Sequence, residues 1–121
     1  MIIEENKAKF WEELIGRQLS SVEFVQDYLQ LRFDGPTINV SSPLTVSTHL
    51  IEITSWNSGF RDLLCEQITK IVQGVRFESG IALTIRFNDN SKIIVSVRPE
   101  DYTSPEAIYA HGFSKNSWLV E

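Results

Sequence analysis

The sequence predicts an α+β protein that is mainly antiparallel β, two helix-plus-three-stranded-meander repeats rolled into one partly closed barrel, with a sandwich as the alternative. The first supporting observation is a motif written twice. Val22-Glu23-Phe24, Leu31-Arg32-Phe33-Asp34-Gly35 and Ile38-Asn39-Val40 return as Val75-Arg76-Phe77, Ile85-Arg86-Phe87-Asn88-Asp89 and Ile93-Ile94-Val95. The offset runs from 53 (Phe24 to Phe77) through 54 (Phe33 to Phe87) to 55 (Val40 to Val95), one added residue in each of two turns. The second observation is strict apolar–polar alternation in both copies, and the third is a helical pattern ahead of each. One strand–turn–strand unit cannot bury its apolar face alone, so the two must share a core. Residues 1–121 therefore read as a single domain, with repeats over about 3–41 and 59–98 and a C-terminal hairpin over about 106–120.

Residues 3–15 carry Ile3, Phe10, Trp11, Leu14 and Ile15 near one helical stripe, interrupted by Lys7. Glu4 and Glu5 suit the positive end of the helix dipole, and Gly16 is placed to leave the helix with positive φ. From Gln18 to Val25 the pattern turns to β, with a slip between Leu19 and Val22 that has the form of a bulge. Leu29, Leu31 and Phe33 then face one way while Tyr28, Gln30 and Arg32 face the other. Asp34-Gly35-Pro36 turns the chain, and Ile38 and Val40 return inward. After Ser41-Ser42-Pro43, residues 45–56 read as one long strand on their β-branched content. Ser58 is placed to cap a helix over roughly 59–67, with Phe60, Leu63, Leu64 and Ile68 at helical spacing. The second meander starts at Ile71, turns at Ser79-Gly80, carries Ile81, Leu83, Ile85 and Phe87 inward, and turns again at Asn88-Asp89-Asn90. Ile93, Val95 and Val97 complete it before Pro99. Residues 44–56 and 99–121 have no counterpart in the other half, and the second of these ends in a hairpin from Ala107 to Val120.

Composition excludes more than it proposes. The formal charge is −5, from 16 acidic and 11 basic side chains, and the arginines are scattered along the chain. Nucleic-acid binding needs concentrated positive charge, so no nucleic-acid partner is expected. A basic protein partner is electrostatically easier. No apolar run approaches the ~20 residues of a membrane span, so no membrane role is expected. The start Met1-Ile2-Ile3-Glu4-Glu5 lacks a basic flank and an apolar h-region, and the one cysteine, Cys65, has no internal disulfide partner; both point to the cytoplasm.

No recognisable catalytic set is present. His49, His111 and Cys65 are scattered, so neither a metal nor another cofactor is expected, and Cys65 reads as a buried small hydrophobe in a helical stripe. Glu4-Glu5 and Glu12-Glu13 read as a solvated helix face. The best candidate stretch is Arg98, Glu100, Asp101, Tyr102 and Glu106, an arginine, acids and an aromatic at the end of a strand, where a carboxylate in a cleft can do acid–base work. The plainer reading is a polar loop in which Asp101 or Ser104 caps a short turn begun by Pro105. Arg32 and Arg86 occupy matching repeat positions on the polar face, where they meet solvent or nearby acids, or line the interior together if the barrel is polar inside. Trp56 and Trp118, each beside a turn, read as ordinary partly buried residues or as rim anchors of a binding surface.

The strings Ile85 to Ile93 and Glu100 to Ala107 resemble a pattern in small uncharacterised bacterial proteins. There an F-x-D-G-S turn inside a sheet precedes a Y-x-G-P-E-A stretch and a final tryptophan strand. Asn90 and Ser104 stand here in place of the two motif glycines, and the resemblance covers roughly the last forty residues. It brings no catalytic residues. Some small acidic bacterial proteins of this look are immunity partners of secreted toxins. The expectation is therefore a non-enzymatic protein-binding module, engaging a protein partner or a second copy of itself. The alternative is a small-ligand barrel or an enzyme with its site near residues 98–106.

Overall fold

Alternating apolar residues build ten antiparallel strands among the described residues, 4–102, 105–114 and 118–120, of the computed structural model. The order is α1 (Glu4–Trp11, continued by a 3-10 turn Glu12–Leu14), β1 (Ser21–Phe24), β2 (Leu29–Arg32), β3 (Thr37–Val40), β4 (Leu44–Ser47) and β5 (Glu52–Thr54). There follow α2 (Phe60–Cys65), β6 (Val72–Glu78), β7 (Ala82–Phe87), β8 (Lys92–Ser96), a 3-10 turn Pro99–Asp101, β9 (Ile108–His111) and β10 (Trp118–Val120). None of the described helices is long and apolar enough to cross a membrane.

The strands form two five-stranded sheets, ordered β1-β2-β3-β9-β10 and β5-β4-β8-β7-β6, instead of the closed ladder of a barrel. Each sheet is a three-stranded meander extended by a hairpin from the other half of the chain. β4 joins β8, and β9 joins β3. The registers correspond: Leu29 opposes Val40 where Leu83 opposes Val95, and Val40 opposes Ile108 where Val95 opposes Leu44. The β4–β5 and β9–β10 strand pairs thus stand in matching places, although the sequence shows no counterpart for either.

The leading edges of the two meanders meet at one isolated bridge, Gln18 to Ile71. Around it the Val72 N–H donates to Arg17 (2.8 Å) and the Leu19 N–H to Lys70 (3.0 Å), while Gly16 donates to Val72 and Thr69 to Leu19 (2.8 Å each). Gly16 and Thr69 both have positive φ, 90° and 83°. A single bridge holds this seam, which is why the two ladders stay distinct.

One face of each sheet and both helices feed a common core. Leu29, Leu31, Ile38 and Val40 from the first sheet join Leu83, Ile85, Ile93 and Val95 from the second, all essentially buried. Each such side chain contributes roughly 1.5–3 kcal/mol relative to an exposed position. Trp11 and Leu14 cover one side of this core and Phe60 and Leu64 another. A clamp fastens the C-terminal part to the first helix: Glu13 accepts from the Ser114 N–H (3.0 Å) and hydroxyl (3.0 Å), so it is not a solvated carboxylate.

Local expectations fail where a turn lacks glycine or a helix is short. Residues 45–56 form two strands, because Thr48 closes a turn through its hydroxyl, which accepts from the Ile51 N–H at 3.1 Å. The bulge falls in β6, between Val72 and Gly74. Ile81 is exposed in the β6–β7 turn, and Ile15 is exposed where the first helix ends. Cys65 is exposed as well, since α2 buries Phe60 and Leu64 and the next residue turns about 100° away from that face. Ile3 and the turn over 114–116 lie wholly or partly outside the described residues.

Candidate functional site

Between β5 and α2 the segment Trp56-Asn57-Ser58-Gly59 makes two tight reversals. The Asn57 N–H and side-chain amide both donate to the Thr54 carbonyl (3.1 Å each), and the Phe60 N–H donates to Asn57 (3.0 Å). Gly59, at φ 84°, occupies the helix N-cap without a side-chain cap bond, so Ser58 does not cap α2. Trp56 lies within the first reversal at φ 73°, a conformation that glycine or asparagine ordinarily supplies.

Trp56 is 58% exposed, yet its ring is held from several sides. It meets Phe60 edge-on at 5.5 Å and Phe24 of β1 at 6.3 Å between ring centroids. The Arg61 guanidinium, projecting from the first turn of α2, lies 5.4 Å from the Trp56 centroid and 5.8 Å from that of Phe24, close enough for cation–π attraction to both. Three depressions share Trp56 as a wall. One of about 350 Å³ follows the start of α2, one of about 410 Å³ lies between Phe24–Gln26 and Arg61, and one of about 260 Å³ runs along Tyr28 and Ser41–Pro43. The arrangement presents a restrained aromatic and a cation to solvent.

The other sequence candidates are placed differently. Asp101 accepts from the Ser96 hydroxyl (2.6 Å), which itself accepts from the Arg98 N–H (3.2 Å). The Tyr102 hydroxyl donates to the Val97 carbonyl at 3.2 Å. These bonds fasten the 3-10 turn to the end of β8. Arg98 and Glu100 are exposed, and Glu106 is half-buried beyond the turn. Trp118 is placed by its backbone opposite His111; its rim role, like the capping role of Ser104, falls outside the described part. Arg32 pairs with Glu23 at 3.9 Å, whereas Arg86 donates to Gln73 (2.7 Å) and Asn90 (3.4 Å), so the two matching arginines have unlike surroundings.

A polar cluster that sequence reading missed lies behind α2. Lys70 pairs with Asp89 at 2.7 Å and donates to buried Gln67 at 3.0 Å, while Ser91 is within 2.6 Å of Asp89 and 2.8 Å of Gln67. The Lys70 ammonium, followed by the Ser91 hydroxyl, holds the Asp89 carboxyl well below the usual carboxylate range. These bonds fix the β7–β8 turn to the segment that follows α2. The spacing of the cluster offered no signal, because the four residues converge only where β6 pairs with β7, Val72 opposite Phe87 and the Asn88 N–H donating to the Ile71 carbonyl (2.9 Å). Among the described residues no three His, Cys, Asp or Glu side chains converge as a metal site. No protein-family model, curated protein or solved structure matches this chain.

Proposed function

We propose that this protein is a non-enzymatic protein-binding module whose docking anchor is Trp56. One observation carries the reading: a bulky aromatic is more than half exposed at φ 73°, although that backbone costs a non-glycine residue about 1–2 kcal/mol. A smaller turn residue would avoid the strain, so the ring itself is what the position retains. Phe24, Phe60 and Arg61 already restrain it, which reduces the entropy lost when a partner covers it. Tryptophan and arginine together are the residue types that dominate interface energetics. The net charge of −5 favours a basic partner, as in an immunity-type inhibitor of a secreted toxin, the role the sequence resemblance implies. The lone exposed thiol of Cys65 suits a reducing cytoplasm. We also read the halves as two copies of one helix–meander–hairpin unit with the hairpins exchanged, on the strength of the corresponding registers.

A photo-crosslinking residue tests this reading in the cells of origin. Placed at Asn57 it gives one defined adduct, and placed at exposed Glu100 it gives none. Trp56→Ala removes the adduct while circular dichroism stays native. Absence of an adduct at Asn57, equal adducts at both places, or an adduct that survives Trp56→Ala refutes the assignment.

A further inference from the structure

The second sheet carries a concentration of positive charge that the acidic composition hides. On its outer face Arg76, Arg86 and Lys92 line an open depression of about 400 Å³ with Glu78 as its one acidic residue. Arg86 stands directly opposite Lys92 in the β7–β8 ladder, a like-charge cross-strand pair of the kind that destabilises a sheet. Neither has a carboxylate partner among the described residues. Glu78 engages Arg76 at 3.3 Å and Asp89 engages Lys70, while Arg86 is held only by the neutral Gln73 and Asn90 amides.

The backbone is shaped around this arginine. The β6 bulge brings Gly74 opposite Arg86, and a Cβ at Gly74 would come within 2.9 Å of the Arg86 Nη2 atom. Glycine inside a strand marks a bulge or a close approach to the chain, and here the guanidinium lies over it. In the first sheet Arg32 lies beside Glu23 and opposite Thr37. The corresponding places in the second sheet hold Arg76 and Lys92. The same framework thus neutralises one arginine and leaves the other unneutralised beside a second cation.

We infer that the outer face of β6–β8 is a docking site for an acidic stretch of a protein, whose carboxylates lie between Arg86 and Lys92. Charge complementarity identifies the occupant, since carboxylates supply the counter-charge the pair lacks. A nucleic acid fits less well. No aromatic side chain lines the depression to stack on a base, and a long polyanion would be repelled by the acidic remainder of the chain. This site stands independently of the Trp56 reading.

The test is an NMR titration of the isotope-labelled full chain with a capped hexaglutamate peptide, with a hexathymidine oligonucleotide and inorganic phosphate as parallel arms. Hexaglutamate gives saturable shifts centred on the Gly74, Arg86 and Lys92 amides. Binding weakens by about tenfold in Arg86→Gln and in Lys92→Gln and falls as salt is raised. Lys92→Glu separates the cause: it abolishes binding yet raises the melting temperature by on the order of 2 °C, because an opposite-charge pair replaces a like-charge one. Failure of hexaglutamate to saturate, tighter binding of the oligonucleotide or of phosphate, or a lower melting temperature for Lys92→Glu overturns the proposal.

Discussion

Trp56→Ala and Trp56→Gly form a pair whose order of stability reports on the strained turn. Both remove the ring. With 58% of the residue exposed, the covered part is on the order of 100 Å², or about 2.5 kcal/mol at ~25 cal/mol per Å². That is an upper figure, because unfolded chains already cover some apolar surface. Alanine inherits φ 73° and the strain of about 1–2 kcal/mol with it, so Trp56→Ala loses nearly the full packing contribution. Glycine relieves that strain and loses about 0.5–1 kcal/mol to the greater freedom of its unfolded chain. The glycine variant is therefore expected to be more stable than the alanine variant by about 0.5–1 kcal/mol, the reverse of the order at an ordinary position. Urea unfolding at 25 °C, followed by far-UV circular dichroism, resolves a difference of this size when the two slopes agree. An alanine variant as stable as the glycine variant, or more so, refutes a left-handed Trp56. Docking is lost in both variants, so binding does not follow the stability order.

Other outcomes follow from named contacts. Gly112→Ala drives a Cβ into the Gly35 carbonyl oxygen at φ 78°, combining strain with a backbone clash, and is expected to cost about 2–4 kcal/mol; Gly80→Ala, at φ 72° with open space around it, costs only about 1 kcal/mol in the same urea assay. Because its folded pKa is depressed, Asp89 contributes stability at neutral pH that disappears as the pH falls below its ordinary value of 3.8; Lys70→Met removes the larger cause of the shift, leaving the Ser91 bonds, and flattens that acid limb by about 1 kcal/mol or less, given that half-exposed Asp89 is screened by solvent. Thermal unfolding from pH 7 down to about pH 2 compares the two proteins. Asp101→Ala loses the bond from Ser96 and lowers stability by about 1 kcal/mol without changing the Asn57 crosslink; a lost crosslink in a folded variant would place residues 98–106 in the docking surface after all.

The meanders were the most legible part of the chain. Leu29/Leu31 and Leu83/Ile85 alternate with polar neighbours because successive side chains of a strand point to opposite faces, and this periodicity survives in a one-dimensional string. The β4–β5 hairpin was hidden because Thr48 makes its turn with a hydroxyl, and threonine reads equally well as strand. Cys65 and Ile15 were misread for another reason. Each follows a buried leucine at the end of a short helical stretch, where one residue decides between core and solvent. Trp56 was legible from its neighbours as standing beside a turn. Its positive φ and its contact with Arg61 were not, since both depend on how Phe24 of β1 and the start of α2 are brought together.

Sequence alone determined the antiparallel class, the twice-written meander and the apolar faces that make the core, because each of these rests on spacing between near neighbours. Tertiary structure decided which sheet each hairpin joins and whether the ladders close. Val40 can pair as readily with Leu44 as with Ile108 on local chemistry, since all three are apolar β-formers. The choice falls to Ile108 only when both sheets assemble over one core. The contrast between Arg32 beside Glu23 and Arg86 facing Lys92 is different in kind: both are pairings within a meander, and they differ because Glu23 and Thr37 stand in one copy where Arg76 and Lys92 stand in the other.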